Sequence, residues 1–263
     1  MTYQTLLLER QGPVVRLKLN RPDKRNAQSL EMWRELKAVG VALEDDPGVR
    51  VVVVSGEGHS FSAGIDLTVL MAQGQSAGTG QSPIPDVAEV QLAFTWLRDA
   101  PFATIAMVHG YALGAGMQLA LACDIRMAAE DATFALPEVN FGILPDLGGC
   151  AWLPELVGPA KAKELIFLGD RFDAHTAHRL GIVNQLIPAE SLEKVTLAMA
   201  ERIAKQAPLA IGATKRAIRA AESSADAALR VSADEVRKLL VSNDFKEATG
   251  AAAARRAPSY TGS

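Results

Sequence analysis

The chain of 263 residues is 49% hydrophobic and 22% charged, the balance of a protein with a packed core and not of a disordered one. Its 27 basic and 30 acidic residues leave a net charge of −3, which offers no basic footprint for nucleic acid, and aromatics at 5% supply little for base stacking. The two cysteines stand singly, the four histidines show no zinc spacing, no run approaches the ~18 apolar residues of a membrane span, and the first residues lack a signal-peptide pattern. These absences imply reduced thiols, no metal, no membrane partner and a cytoplasmic location.

Thr5–Glu9 and Val14–Leu19 read as strands joined by a hairpin at Gln11-Gly12-Pro13, and Asn20 to Asp23 as a turn. Ser29 is placed to cap a helix running to about Asp45, with Leu30, Trp33, Leu36, Val39 and Leu43 at helical spacing. Val49–Ser55 is a continuous apolar run, which implies a strand covered on both faces. Gly56–Gly64 is a loop punctuated by glycine. Residues 73–85 read as a low-complexity loop, followed by a helix from Asp86 to Arg98. Thr104–Val108 is a second buried strand, and Gly110 to Gly116 turns into a helix ending near Ala122. Asp124–Ala128 and Thr133–Ala135 are short strands. Alternation of this kind implies βαβ units and a parallel sheet, an α/β core. Beyond Leu147 helical patterns dominate, over Ala160–Leu168, Ala174–Leu180, Glu190–Lys205, Pro208–Ala221, Ala225–Leu240 and Ser242–Ala254, with one strand at Val183–Ile187.

Three segments carry candidate chemistry. Phe61-Ser62-Ala63-Gly64-Ile65-Asp66-Leu67 and His109-Gly110-Tyr111-Ala112-Leu113-Gly114-Ala115-Gly116 each follow a strand and open a helix with small residues. The first N–H groups of a helix have no internal acceptor, and two such donors aimed at one point bind an oxyanion. A plainer reading is that these glycines only make tight turns. In the third segment, Pro137 to Gly149, Glu138 and Asp146 stand in apolar, glycine-rich surroundings. There a carboxyl group tends to a raised pKa and can exchange protons near neutrality. The plainer reading makes Asp146 a helix cap and Glu138 a surface residue. His59, His109, His175 and His178 read as surface or structural residues.

Together the segments resemble the crotonase superfamily, also called the enoyl-CoA hydratase/isomerase family. Asn20-Arg21-Pro22 with Asn26-Ala27, Phe61 to Leu67, Gly110 to Asp124, and Pro137-Glu138 to Gly149 are similar to four of its elements, in order. Gly181-Ile182-Val183, Pro208 with Lys215, and Arg255 to Tyr260 match weaker ones. The resemblance implies a crotonase (ClpP-like) spiral of ββα units over residues 1–200, with a C-terminal helical trimerisation region over 201–263. It implies a homotrimer or homohexamer acting on an acyl-CoA, with no cofactor, since coenzyme A is part of the substrate.

Residue by residue, it implies that the N–H groups of Ile65 and Ala115 form the oxyanion hole for a thioester enolate, and that Glu138 is the principal acid/base. Asp146 matches a position that is acidic in some family isomerases. Lys24, Arg25, Ala27, Ala63 and Ile65 match the region where family members meet CoA, and Arg255 matches a basic residue that reaches CoA from the C-terminal tail. In this family that tail belongs to, or packs against, a neighbouring subunit. The sequence departs from the family's hydratases at Gln118, where they carry a second glutamate. A single remaining acid favours double-bond isomerisation. The alternatives are hydration by Glu138 with Asp146, and a non-catalytic acyl-CoA binder on the same fold.

Overall fold

The structure is a computed structural model and describes residues 3–76 and 84–263. Strands β1 (Leu6–Gln11) and β2 (Val14–Leu19) form an antiparallel hairpin in which Gln11 pairs with Val14 and Leu6 with Leu19. Helix α1 (Leu30–Glu44) begins where expected. The extended Ser29 accepts the Met32 N–H at 3.2 Å on its hydroxyl, satisfying one of the free donors of the first turn. Trp33, Leu36, Val39 and Leu43 form its buried face.

Strand β3 (Val51–Gly56) leads to α2 (Leu67–Ser76) and α3 (Val87–Asp99), which is capped by Asp86. Then come β4 (Ala103–Val108), β5 (Tyr111–Leu113), α4 (Ala115–Ala122), β6 (Ile125–Ala129) and β7 (Thr133–Ala135). They are followed by α5 (Gly149–Leu168), β8 (Phe172–Asp173), α6 (Ala174–Arg179), β9 (Gln185–Ile187), α7 (Leu192–Ala204), α8 (Pro208–Ala220), α9 (Ala225–Leu240) and α10 (Asn243–Ala253).

The main sheet has the order β1-β2-β3-β4-β6-β9 and is parallel from β2 onward. Val51 to Val54 and Ile105 are wholly buried, as unbroken apolar strands in the middle of a parallel sheet should be. A second sheet, β5-β7-β8, stands apart from it. The C-terminal helices are tied to this core by Lys215 of α8. Its ammonium donates to the carbonyls of Leu97 and Phe102 at 3.0 and 2.9 Å and pairs with Asp124 at 2.8 Å. Helix α9 buries none of its side chains, and Leu229, Val236 and Leu240 are exposed on it. Among the described residues no helix is long and apolar enough to cross a membrane.

Three expectations change. Helix α2 carries Gln73 to Ser76, so the loop assigned to 73–85 starts later, and its residues 77–83 lie outside the described residues. Tyr111 to Leu113, read as part of a glycine turn, is a strand because Thr133 to Ala135 pairs with it. Helix α5 starts at Gly149 instead of Ala160: Pro154, Gly158 and Pro159 look like breakers, yet burial of Trp152 and Leu153 draws the first turns into a helix. The chain then kinks at Gly158, whose φ is +76°.

Candidate active site

The site is assembled by lacing three distant segments together. Asn26 adopts a left-handed conformation (φ 54°), which Asn tolerates better than most residues. Its side chain is fully buried, accepts the Arg21 N–H at 2.8 Å, and donates to the carbonyls of Glu57 and Ser60 at 2.9 and 2.7 Å. The turn at 21–26 is thereby bound to the loop after β3. From there Ala63 N–H donates to Arg25 O, Gln28 N–H to Gly64 O and Asp66 N–H to Gln28 O, at 2.9, 2.7 and 2.9 Å. On the other side Ser62 N–H donates to Tyr111 O and Leu113 N–H to Ser62 O, at 2.8 and 3.0 Å. The stretch from Ser62 to Asp66 is thus a rung between the 25–28 segment and β5.

This lacing leaves two amides over. Among the described residues neither the Ile65 N–H nor the Ala115 N–H donates to an acceptor. Ala115 is the first residue of α4, whose ladder begins only with Gln118 N–H to Gly114 O at 3.0 Å. Gly64 brings the two amides together. Its φ is +95°, and a Cβ there would lie 2.7 Å from Leu113 O and 3.6 Å from Ala115 N, so only glycine allows this approach. Gln28 fixes the start of α4 from behind: its Nε2 donates to Ala115 O at 3.1 Å, and its Oε1 accepts the Trp33 indole N–H at 2.8 Å.

Glu138 lies in a short 3-10 turn, Pro137–Phe141, and is 6% exposed. Its Oε1 accepts from Gln118 Nε2 at 2.8 Å, and among the described residues its Oε2 has no partner. Gln118, in turn, accepts the Gly149 N–H on Oε1 at 3.0 Å. An N–H can only donate, so the Gln118 carbonyl must face Gly149 and its NH₂ must face Glu138. Burial pushes the Glu138 carboxyl up to about 7; the backbone and Gln118 hydrogen bonds oppose this, and the charge of Asp146 adds to it. The carboxylate stands close to the α4 N-terminus, since a Cβ on Gly114 would lie 3.2 Å from Glu138 Oε1.

One cavity of about 670 Å³ gathers most of the expected residues: Lys24, Arg25, Ala27, Ala63, Ile65, Ala115 and Glu138 all line it. Leu67, Leu70, Leu113, Phe141 and Ile143 make its apolar walls. A second carboxylate on this lining, Asp66, is tied to Arg21 at 2.8 Å. Burial works to raise Asp66, but the N–H and hydroxyl of Thr68 together with Arg21 overcome it and hold the carboxyl below its ordinary value. Asp146 lines an adjacent cavity of about 380 Å³ with Gln91, Thr95, Cys150 and Trp152, where burial raises its carboxyl. Arg255 is exposed at the end of α10 and lines neither cavity. Among the described residues no cluster of His, Cys, Asp and Glu could hold a metal ion.

Residues 9–263 match the profile of the family described as Enoyl-CoA hydratase/isomerase. The chain belongs to that family. It is 34% identical over 264 residues to a probable enoyl-CoA hydratase of Mycobacterium bovis, covering 99% of each chain. It is 35% identical over 249 residues to a crotonyl-CoA hydratase of Syntrophomonas wolfei, covering 94% of each. Its fold superposes on the crystal structure of an enoyl-CoA hydratase from Bacillus anthracis with a TM-score of 0.90 at 31% identity, covering 99% of this chain and all of the other. The crotonase fold and an enzyme acting on acyl-CoA follow from membership of the enoyl-CoA hydratase/isomerase family.

Several residues of this family site are not evident from sequence pattern. Gln28, Trp33 and Ser62 position the free amides; Gln28 belongs to no periodic pattern or motif, Trp33 reads only as one of the apolar positions of α1, and Ser62 only as part of a glycine-containing turn. Arg171 lines the main cavity from the segment before β8, more than 100 positions from Lys24 and Arg25. Only the folded chain brings them together.

Proposed function

We propose that this enzyme forms and reprotonates the enolate of an acyl-CoA thioester, and that its favoured reaction is migration of a double bond. The observation that carries this reading is the pairing of Glu138 with the Gln118 amide at 2.8 Å, in the position where a second carboxyl group would serve hydration. The N–H groups of Ile65 and Ala115 donate to the thioester oxygen as negative charge develops on it. Glu138, raised to about 7, removes a proton from one carbon and returns it to another. Gln118 carries no titrating proton. Its NH₂ holds Glu138 in place and favours the ionised form, which makes it a positioning residue. The basic and small residues Lys24, Arg25, Ala27 and Ala63 take the CoA moiety, with Arg255 reaching it across a subunit boundary. A homotrimer or homohexamer would cover the exposed apolar face of α9.

A second reading is hydration, with Asp146 supplying the missing carboxyl group. It is favoured by the hydratase names of the relatives and by the electrostatic coupling of Asp146 to Glu138. Incubation with crotonyl-CoA and a 3-enoyl-CoA in deuterated water separates the two. Isomerisation gives the 2-enoyl ester with deuterium incorporated and little 3-hydroxyacyl product, whereas rapid hydration supports the second reading, and silence on both substrates overturns both.

The companion variant is Gln118→Glu, which offers a second carboxyl group at the same place. It is expected to raise crotonyl-CoA hydration above that of the wild type. A wild type already hydrating crotonyl-CoA near the diffusional ceiling of ~10⁸ M⁻¹s⁻¹ would contradict the role given to Gln118.

A further inference from the structure

A third cavity, of about 440 Å³, shares no lining residue with the main cavity and has the size of a small-molecule site. Leu121 of α4, Ile125 of β6, Leu156 of α5, Ile203 of α7, and Ile211 and Ile218 of α8 supply its apolar wall. Its charged lining is paired with one exception. Arg98 pairs with Glu155 and Glu222, Lys215 with Asp124, and Arg219 with Asp99. Arg126 of β6 lines the same cavity and, among the described residues, pairs with no carboxylate.

Arg126 is 5% exposed, whereas the paired groups stand partly in water. Its Nε donates to Ile182 O and its Nη1 to Cys123 O, each at 2.6 Å. Its Nη2 has no partner among the described residues. Two carbonyl dipoles do not neutralise a full charge, and a buried charge is costly unless it is paired. Cys123, also on the lining, is no counter-ion, because burial pushes its thiol up to about 12. Burial lowers the pKa of Arg126 as well, the direction for a cation short of a partner.

The missing partner is an anion, and a guanidinium is shaped to donate to carboxylate oxygens. Asp124, Glu155 and Glu222 on the lining oppose a second negative charge, which favours a monoanion over a phosphate. The leucine and isoleucine wall suits an aliphatic body. We infer that this cavity binds a small monocarboxylate with an aliphatic chain, such as a medium-chain fatty acid, whose carboxylate accepts from Arg126 Nη2 while its chain lies against Ile203, Ile211 and Ile218. Such a ligand leaves the main cavity free for the thioester, because the two cavities have no residue in common.

Isoleucines line both cavities and report which of them is filled. The full-length enzyme, isotopically labelled at its isoleucine methyl groups, is titrated with octanoate and followed by nuclear magnetic resonance. Saturable shifts are expected at Ile203, Ile211 and Ile218, and none at Ile65 and Ile143 of the main cavity. Octanamide has the same body without the charge and should bind more weakly by roughly ten- to a hundredfold, the range for a hydrogen bond to a charged group. Arg126→Gln should weaken octanoate by the same factor and leave octanamide nearly unchanged. Because Arg126 also holds two backbone carbonyls, a second variant spares it. Ile218 is 68% exposed, so Ile218→Asp keeps the fold while setting a carboxylate beside the bound anion. It should weaken octanoate several-fold at low salt, less at high salt, and leave octanamide unchanged.

The inference is overturned if octanoate shifts only Ile65 and Ile143, which would place it in the main cavity. It is also overturned if octanoate shifts none of these methyl groups, or if octanamide binds as tightly as octanoate. In either case Arg126 serves only the carbonyls of Cys123 and Ile182. Wild-type octanoate affinity in a folded Arg126→Gln protein overturns it too. Should that variant fail to fold, undiminished affinity at low salt in Ile218→Asp does the same.

Discussion

Glu138→Gln is expected to lower turnover by about 10²–10⁴-fold or more while leaving acyl-CoA affinity nearly intact, because the amide keeps the shape of the side chain but cannot act as a titrating acid or base. In the wild type the ionised form is the base, and burial raises the carboxyl to about 7. Turnover should therefore climb with pH through the neutral range and level off above it. Asp146→Asn should cost less if Asp146 acts on Glu138 only through its charge, and as much if it is itself the proton carrier. The double variant decides whether the two act as a unit, since groups sharing one step lose activity non-additively. Wild-type turnover by Glu138→Gln, on a substrate the wild type converts, would remove Glu138 from the mechanism and make Asp146 the leading base.

The same substitution has an opposite effect on stability. Burial holds the Glu138 carboxyl of the folded protein up to about 7, against an ordinary value of 4.5. Below the lower value it is protonated in both states and costs nothing. As pH rises through the upper value, the folded protein must ionise a buried carboxyl group, and a shift of this size amounts to about 3 kcal/mol. Glu138→Gln should thus gain stability over the wild type at alkaline pH and not at acidic pH, read as a pH-dependent difference in denaturation midpoints. A loss of activity coupled to a gain in stability is the signature of a group held at a cost for its chemistry.

The second large effect is expected at Gly64. Alanine there meets Leu113 O at 2.7 Å on a backbone with φ +95°, so the segment carrying the Ile65 N–H must move away from Ala115. Removing one oxyanion donor costs about 10²–10³-fold in kcat. Gly64→Ala should show that loss in kcat more than in KM, since the donor contributes most once charge has developed on the substrate oxygen. Backbone strain of this type also costs of the order of 1–3 kcal/mol in stability, so thermal unfolding should shift downward as well. A folded Gly64→Ala protein with wild-type kcat would show that the Ile65 and Ala115 amides do not act as the oxyanion hole.

Much of this architecture is legible in the order of residues, because the relevant physics is local. Val51 to Val54 is an unbroken apolar run that only a strand covered on both faces can bury, and it occupies the inside of the parallel sheet. Ser29 and Asp86 announce α1 and α3 because a cap needs only the N–H groups two or three positions ahead. Phe61 to Leu67 and Gly110 to Gly116 suggested two donor-bearing turns for the same reason: helix starts leave free amides wherever they occur.

What the order of residues does not decide is which groups share a space. Glu138 and Asp146, eight positions apart and alike in chemistry, line two different cavities, because the turn at 137–142 and the start of α5 direct them apart. Gln118 reads as a missing acid, whereas the fold makes it a bridge between Gly149 N–H and Glu138, and both of those bonds span 20 positions or more. The strand Tyr111 to Leu113 exists because Thr133 to Ala135 pairs with it, and Arg171 joins Arg25 only across the Tyr111 ring. Sequence alone thus determined the elements and the chemical types at the site, through interactions that reach a few residues along the chain. The tertiary structure decided partnership, burial and charge environment, which depend on contacts between residues tens to more than a hundred positions apart.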